Sequence, residues 1–203
     1  MNHRNYQKEL DAVIARSQEQ EPVKRLLLHS CCAPCSSYVL EYLSDFFAIT
    51  IYYYNPNIYP PEEFDVRAEE QKRLIAGMNP VHPIEFRVGV YRPEEFYECV
   101  KGLEDLPEGS RRCFACYELR LGEAARIAEA EQFDYFTTTL SISPMKNAGK
   151  INEIGERLAA QYHVKHLPSD FKKRNGYKRS VELSAEFGLY RQDYCGCIFS
   201  LRS

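Results

Sequence analysis

Seven of the eight cysteines in this 203-residue chain fall into three short groups: Cys31, Cys32 and Cys35; Cys113 and Cys116; Cys195 and Cys197. The groups lie near the start, middle and end of the sequence, and Cys99 stands alone. A fold that gathers them builds a pocket of soft thiolate ligands. Such a pocket suits an iron–sulfur cluster, zinc, copper or thiol–disulfide chemistry.

Disulfide scaffolding is not needed to explain the cysteines. The chain is 44% hydrophobic and long enough to bury a real core. Met1 to Glu21 is polar and charged, unlike a signal peptide, and the longest apolar run, Phe46 to Tyr54, is too short to span a bilayer. The expectation is a cytoplasmic protein without membrane contact. In that reducing setting closely spaced cysteines bind metal or do chemistry. The net charge of −3 argues against nucleic-acid binding by the chain as a whole. However, residues 1–145 carry −8 and residues 146–203 carry +5. Lys172, Lys173, Arg174, Lys178 and Arg179 concentrate that positive charge, either as a solvated face or as a patch that contacts phosphates.

Hydrophobic periodicity predicts strands at 25–29, 47–54, 84–88, 135–140 and 164–167. Helices are predicted at 6–16, 36–46, 61–78, 93–103, 113–131, 150–162 and 177–187. Strands alternating with helices imply an α/β fold with a parallel sheet flanked by helices on both faces. The chain reads as a single α/β domain over 1–203, with a helical lead over 1–22 and a helical insertion over 92–131 that carries the CxxC. Ligands of open α/β sheets sit beyond the carboxyl ends of the strands. The first cysteine group directly follows such a strand, and Pro34 suits a helix start.

Cys31 and Cys32 together with Cys113 and Cys116 supply four thiolates, enough for a [4Fe–4S] cluster or a structural zinc. A CxxC in the first helical turn places two sulfurs on one side, beside backbone amides that favour the thiolate. Cys35 is a fifth ligand, a ligand to a second iron, or helix packing. Cys195-Gly196-Cys197 makes either a strained, easily cycled disulfide or a two-sulfur metal site. Cys99, beside Phe96 and Val100, reads as core. His29 reads as a satisfied core histidine, and the other histidines lack ligand spacing. Asp170 sits in a polar turn, as a turn residue, a metal ligand or a proton donor. Tyr52 to Tyr59 is either a buried strand or a platform for stacking bases.

Five motifs occur in order: Leu27-Leu28-His29-Ser30-Cys31-Cys32-Ala33-Pro34-Cys35; Asn55-Pro56-Asn57-Ile58; Arg112-Cys113-Phe114-Ala115-Cys116-Tyr117-Glu118-Leu119-Arg120-Leu121; Thr137-Thr138-Thr139-Leu140-Ser141-Ile142-Ser143-Pro144; and Tyr190-Arg191-Gln192-Asp193-Tyr194-Cys195-Gly196-Cys197. Jointly they resemble the QueH family of cobalamin-independent epoxyqueuosine reductases, from about Arg25 to Phe199. The resemblance implies a Rossmann-like α/β/α sandwich of the nucleotide α-hydrolase type and reduction of epoxyqueuosine to queuosine at the tRNA wobble position, the last step of queuosine biosynthesis. It implies a [4Fe–4S] cluster on Cys31, Cys32, Cys113 and Cys116, with Cys195 and Cys197 as a redox pair or as ligands of a second iron. Cys35, at a position shared between Cys and Asp in the family, is implied as a metal ligand. An external electron donor and a tRNA carrying epoxyqueuosine are the implied partners. Asp170 and Asp193 are candidate proton donors, and the basic cluster would grip tRNA.

Two readings compete. One is a zinc-stabilised tRNA-binding module without redox chemistry. The other is an ATP-dependent sulfur transferase, disfavoured because His29 to Pro34 stands where a glycine-rich phosphate loop would be.

Overall fold

A computed structural model of the protein describes residues 4–18 and 21–201. Five parallel strands form one sheet in the order β3-β2-β1-β4-β5. They are β1 (Arg25–His29), β2 (Ala48–Tyr53), β3 (Ile84–Val88), β4 (Tyr135–Thr138) and β5 (Lys165–His166). The helices are α1 (Tyr6–Gln18), α2 (Ala33–Leu43), α3 (Pro61–Gly77), α4 (Pro93–Cys99), α5 (Arg111–Ala130), α6 (Ala148–Gln161) and α7 (Gly176–Glu186). Short 3₁₀ turns cover Thr139–Ile142 and Ile198–Ser200.

β1 explains why a run of consecutive leucines is stable at the centre. Successive side chains leave a strand on opposite faces. Leu27 therefore joins one core, with Leu121, Ala125, Phe136, Ile151 and Leu158. Leu26 and Leu28 join the other, with Leu10, Leu40, Ile49, Ile51 and Phe171. All three leucines are fully buried, each removal from water contributing about 1.5–3 kcal/mol. The register pairs Leu26 with Ile49 and Leu28 with Ile51, so β2 continues the same face. Both faces are covered, which is the α/β/α sandwich expected of the alternating pattern.

The chain runs outward from β1 to β3 and then returns to β4 on the other side of β1. The strand order thus reverses between β1 and β4, opening a crevice at their carboxyl ends. Within segment 92–131, α5 is the crossover that carries the chain from β3 to β4, and it packs on β1 and β4.

Several boundaries differ from the periodicity. α2 starts at Ala33 rather than 36, with Pro34 in its first turn, where a missing N–H costs no hydrogen bond. It ends at Leu43 because the amides of Ser44 and Phe46 turn back to Leu40 and Leu43 carbonyls. β4 stops at Thr138, whose Oγ1 accepts the Leu140 amide at 3.1 Å and starts a 3₁₀ turn.

Candidate metal centre

The loop after β1 is fixed from below before any cysteine is considered. Ser30 Oγ and Ser36 Oγ lie 2.6 Å apart and donate to Gln71 Oε1 at 2.8 and 2.7 Å. Asn55, just beyond β2, donates from Nδ2 to the Ser30 carbonyl at 2.8 Å. His29, fully buried, has Nδ1 2.8 Å from Thr138 Oγ1 at the end of β4 and Nε2 3.1 Å from the Tyr54 carbonyl. Burial, and then the Arg120 charge, push the His29 pKa down to about 3, so its ring is neutral. These contacts tie the ends of β1, β2 and β4 into one floor.

Above that floor Cys31, Cys32 and Cys35 point together. Their Sγ atoms all lie within 4.8 Å of one another, and Cys31 and Cys32 are 3.8 Å apart. A tetrahedral ion with metal–sulfur bonds of about 2.3 Å has sulfur–sulfur edges of about 3.8 Å, so the spacing suits metal ligation. Hydrogen bonds from Cys32 and Cys35 hold Cys31 well below the ordinary thiol pKa, helped by Arg120 and Lys146. Cys32 is pushed up to about 12 and Cys35 well above the usual thiol value, first by their hydrogen bonds to Cys31.

Of the other two groups, Cys195 reaches the cavity that Cys31 and Cys35 line, and Cys113 and Cys116 lie on α5. Cys113 and Cys116 occupy the first turns of α5, and Cys113 Sγ accepts the Gly109 amide at 3.2 Å. Cys113 packs against the same core that contains Cys31 and Cys32. Cys116 and Cys197 share a small buried cluster with Phe96 and Val100. Burial pushes Cys116 up to about 12 and raises Cys113. Metal binding at these sulfurs must therefore displace protons. Cys195 lines, with Cys31 and Cys35, a cavity of about 280 Å³ that also receives Lys146, Tyr177 and Tyr194. Cys99 lies on the outer side of the cluster, partly buried, and burial raises its pKa to about 11.

The C-terminal segment is held in place by its backbone. Tyr59 N–H donates to the Gly196 carbonyl at 2.8 Å, and Tyr194 Oη donates to the Tyr59 carbonyl at 2.5 Å. Gly196 has φ +114°, a conformation that side chains disfavour, and it lies against Arg67 and Ile58. Arg67, 1% exposed, pairs with Glu63 at 2.7 Å and lies 5.1 Å from the Tyr194 ring.

Two cations face the sulfurs without a carboxylate. Arg120 Nη1 lies 3.9 Å from Cys116 Sγ, and Lys146 Nζ lies 3.2 Å from Cys195 Sγ. Burial opposes the Lys146 charge, but Cys195 and Cys31 outweigh it and hold its pKa above the ordinary lysine value. Neither residue announces itself in the sequence. Arg120 follows Cys116 by one helical turn, the only local hint of its placement.

Other expected residues fall elsewhere. Tyr52, Tyr53 and Tyr54 are buried and hydrogen-bonded to Glu123, the Phe64 carbonyl and Glu95, with Tyr52 stacked on Tyr54, so these three offer no face to a base, whereas Tyr59 is exposed. Their alternation on a covered strand makes them core. Asp170 pairs with Lys172 at 2.5 Å and does not line the cavity, whereas Asp193 does. Arg174 pairs with Asp11, Arg179 with Glu41 and Glu186, and Lys178 with Glu182. Lys173 makes no ion pair among the described residues.

The family model for epoxyqueuosine reductase QueH matches residues 26–203. The chain is 44% identical to the epoxyqueuosine reductase QueH of Streptococcus pyogenes serotype M1 over 192 residues, covering 93% of this chain and 75% of that one. It is 42% identical to the Staphylococcus epidermidis protein of that name over 200 residues, covering 97% and 84%. The Thermotoga maritima protein of that name is 37% identical over 179 residues, covering 87% and 90%. The matched region includes all three cysteine groups and every residue of the floor beneath them, and the chain belongs to the QueH family of epoxyqueuosine reductases.

Proposed function

We infer that this chain is an iron–sulfur oxidoreductase that reduces epoxyqueuosine to queuosine in tRNA. The observation that carries the reading is a cavity lined by Cys31, Cys35 and Cys195 from remote segments, beside the Cys31, Cys32 and Cys35 sulfurs that lie within 4.8 Å of one another. The donor set is all soft sulfur, which suits iron–sulfur ligation. Cys31, Cys32, Cys113 and Cys116 would hold a [4Fe–4S] cluster. Cys35, Cys195 and Cys197 would hold a second iron, or the last two would act as a dithiol. That centre would supply the electrons.

The net change is epoxide plus two electrons and two protons, giving an alkene and water. The chain's own residues cover the rest. The cavity admits a splayed base and offers it Tyr177 and Tyr194 as ring partners. The Lys146 ammonium, in the cavity wall, stabilises negative charge on the departing oxygen and holds a proton for it. Asp193, also in the wall, is a second proton carrier. Asp170, held by Lys172, serves the loop instead. Beyond the cavity, the 172–179 segment would contact tRNA phosphates. Its pairing with Asp11, Glu41 and Asp170 leaves Lys173 as the free contact.

The test is anaerobic turnover. Reconstituted protein, a low-potential reductant and tRNA bearing epoxyqueuosine should yield queuosine by nucleoside mass spectrometry. The protein should be brown, with about four irons and four sulfides per cluster. Colourless protein holding zinc and producing no queuosine would favour the binding module.

A further inference from the structure

Arg120 is a fully enclosed cation near the sulfurs, 1% exposed in the middle of α5. It lies four residues after Cys116 and seven after Cys113, on the same helical face. Its Nη2 donates to Asn55 Oδ1 at 2.5 Å, and its Nε lies 3.3 Å from His29 Nε2. Neither partner is a carboxylate. Among the described residues no carboxylate lies within 4 Å of it. Arg67 is equally buried yet has its own anion in Glu63. An ionised guanidinium withdrawn from water needs a compensating charge. A group within reach that becomes an anion when it binds metal is the Cys116 sulfur, 3.9 Å from Nη1.

We propose that Arg120 is the fixed counter-cation of the thiolate-bound centre and sets how readily that centre accepts an electron. This rests on the iron–sulfur reading above. Reduction adds negative charge to a buried site, and a cation held beside it favours the reduced form. Arginine stays charged at every working pH. Lys146 faces the open cavity and Arg67 is paired with Glu63, so Arg120 is the constant part of the field. Asn55 and His29 hold its fork in place, which makes Arg120 a positioning and tuning residue, not one that touches substrate.

The experiment compares anaerobically reconstituted wild type, Arg120→Lys and Arg120→Gln. Iron and sulfide per chain are measured first, then the one-electron midpoint by mediated titration followed by electron paramagnetic resonance. Arg120→Lys should keep the wild-type midpoint. Arg120→Gln should shift the equilibrium at least tenfold toward the oxidised form, a midpoint about 59 mV more negative. Fully loaded Arg120→Gln with an unmoved midpoint overturns the proposal, as does Arg120→Lys moving as far as Arg120→Gln. If Arg120→Gln does not load, Asn55→Asp carries the test by seating a carboxylate on the guanidinium. The same negative shift is expected, and an unchanged midpoint overturns the idea. Wild type without iron and sulfide removes the iron–sulfur reading itself, before any variant is compared.

Discussion

Replacing Gly196 by alanine isolates the contribution of the C-terminal cysteine pair. Gly196 has φ +114°, and a Cβ there would meet Arg67 Nη1 at 3.0 Å and Ile58 Cγ1 at 3.3 Å. Backbone strain of this kind costs roughly 1–3 kcal/mol. The segment is attached by the Tyr59–Gly196 and Tyr194–Tyr59 hydrogen bonds, by Tyr194 on Arg67, and by Cys197 and Phe199 packed against Phe96, all outside the sheet. It should therefore undock locally rather than unfold the sheet. At about 1.4 kcal/mol per tenfold, the docked population relative to the undocked falls roughly five- to 150-fold. The Tyr59 amide reads this directly, since its only backbone acceptor is Gly196. Hydrogen exchange at Tyr59 should accelerate by that factor, while amides of β1 and β4 keep their protection. Turnover should fall in step, because Cys195 and Lys146 no longer share the cavity wall. Gly196→Ala with native Tyr59 protection and native turnover would refute the docking argument.

Three further outcomes are expected. Cys113→Ala should lose nearly all iron, whereas Cys99→Ala should keep full iron and change stability by about 1 kcal/mol or less; elemental analysis and urea unfolding decide, and iron loss in Cys99→Ala contradicts the ligand set. His166 has both ring nitrogens enclosed without partners, and burial, then Arg4, depress its pKa to about 3. Its stability contribution is whole above the unfolded value of about 6.5 and is lost as pH falls toward 3, by about 1.4 kcal/mol per pH unit. His166→Phe should flatten the unfolding slope between pH 6 and 4 by that amount, and an identical slope would contradict it. Removing Lys172, Lys173 and Arg174 together should weaken tRNA binding and reduce its salt slope by about 0.7–0.9 per lost phosphate contact; filter binding across salt concentrations checks this, and an unchanged slope assigns the segment to structure.

The sequence by itself determined the layer architecture and the chemistry of the donors. Strand and helix periods are local properties, so β1, β3 and α3 were legible to within a residue, and cysteine spacing announced the candidate ligands whatever the fold. It could not show the charge environment of those ligands. Arg120, Lys146 and Arg67 look like any surface cations in a linear string, and Tyr52 to Tyr54 look like a stacking platform. Which cation is stripped of water, and which keeps a carboxylate, depends on what remote segments bring within a few ångströms. That proximity arises only when α5 crosses over β1 and the C-terminal segment closes on Tyr59, because electrostatic strength depends on distance and burial rather than on order along the chain.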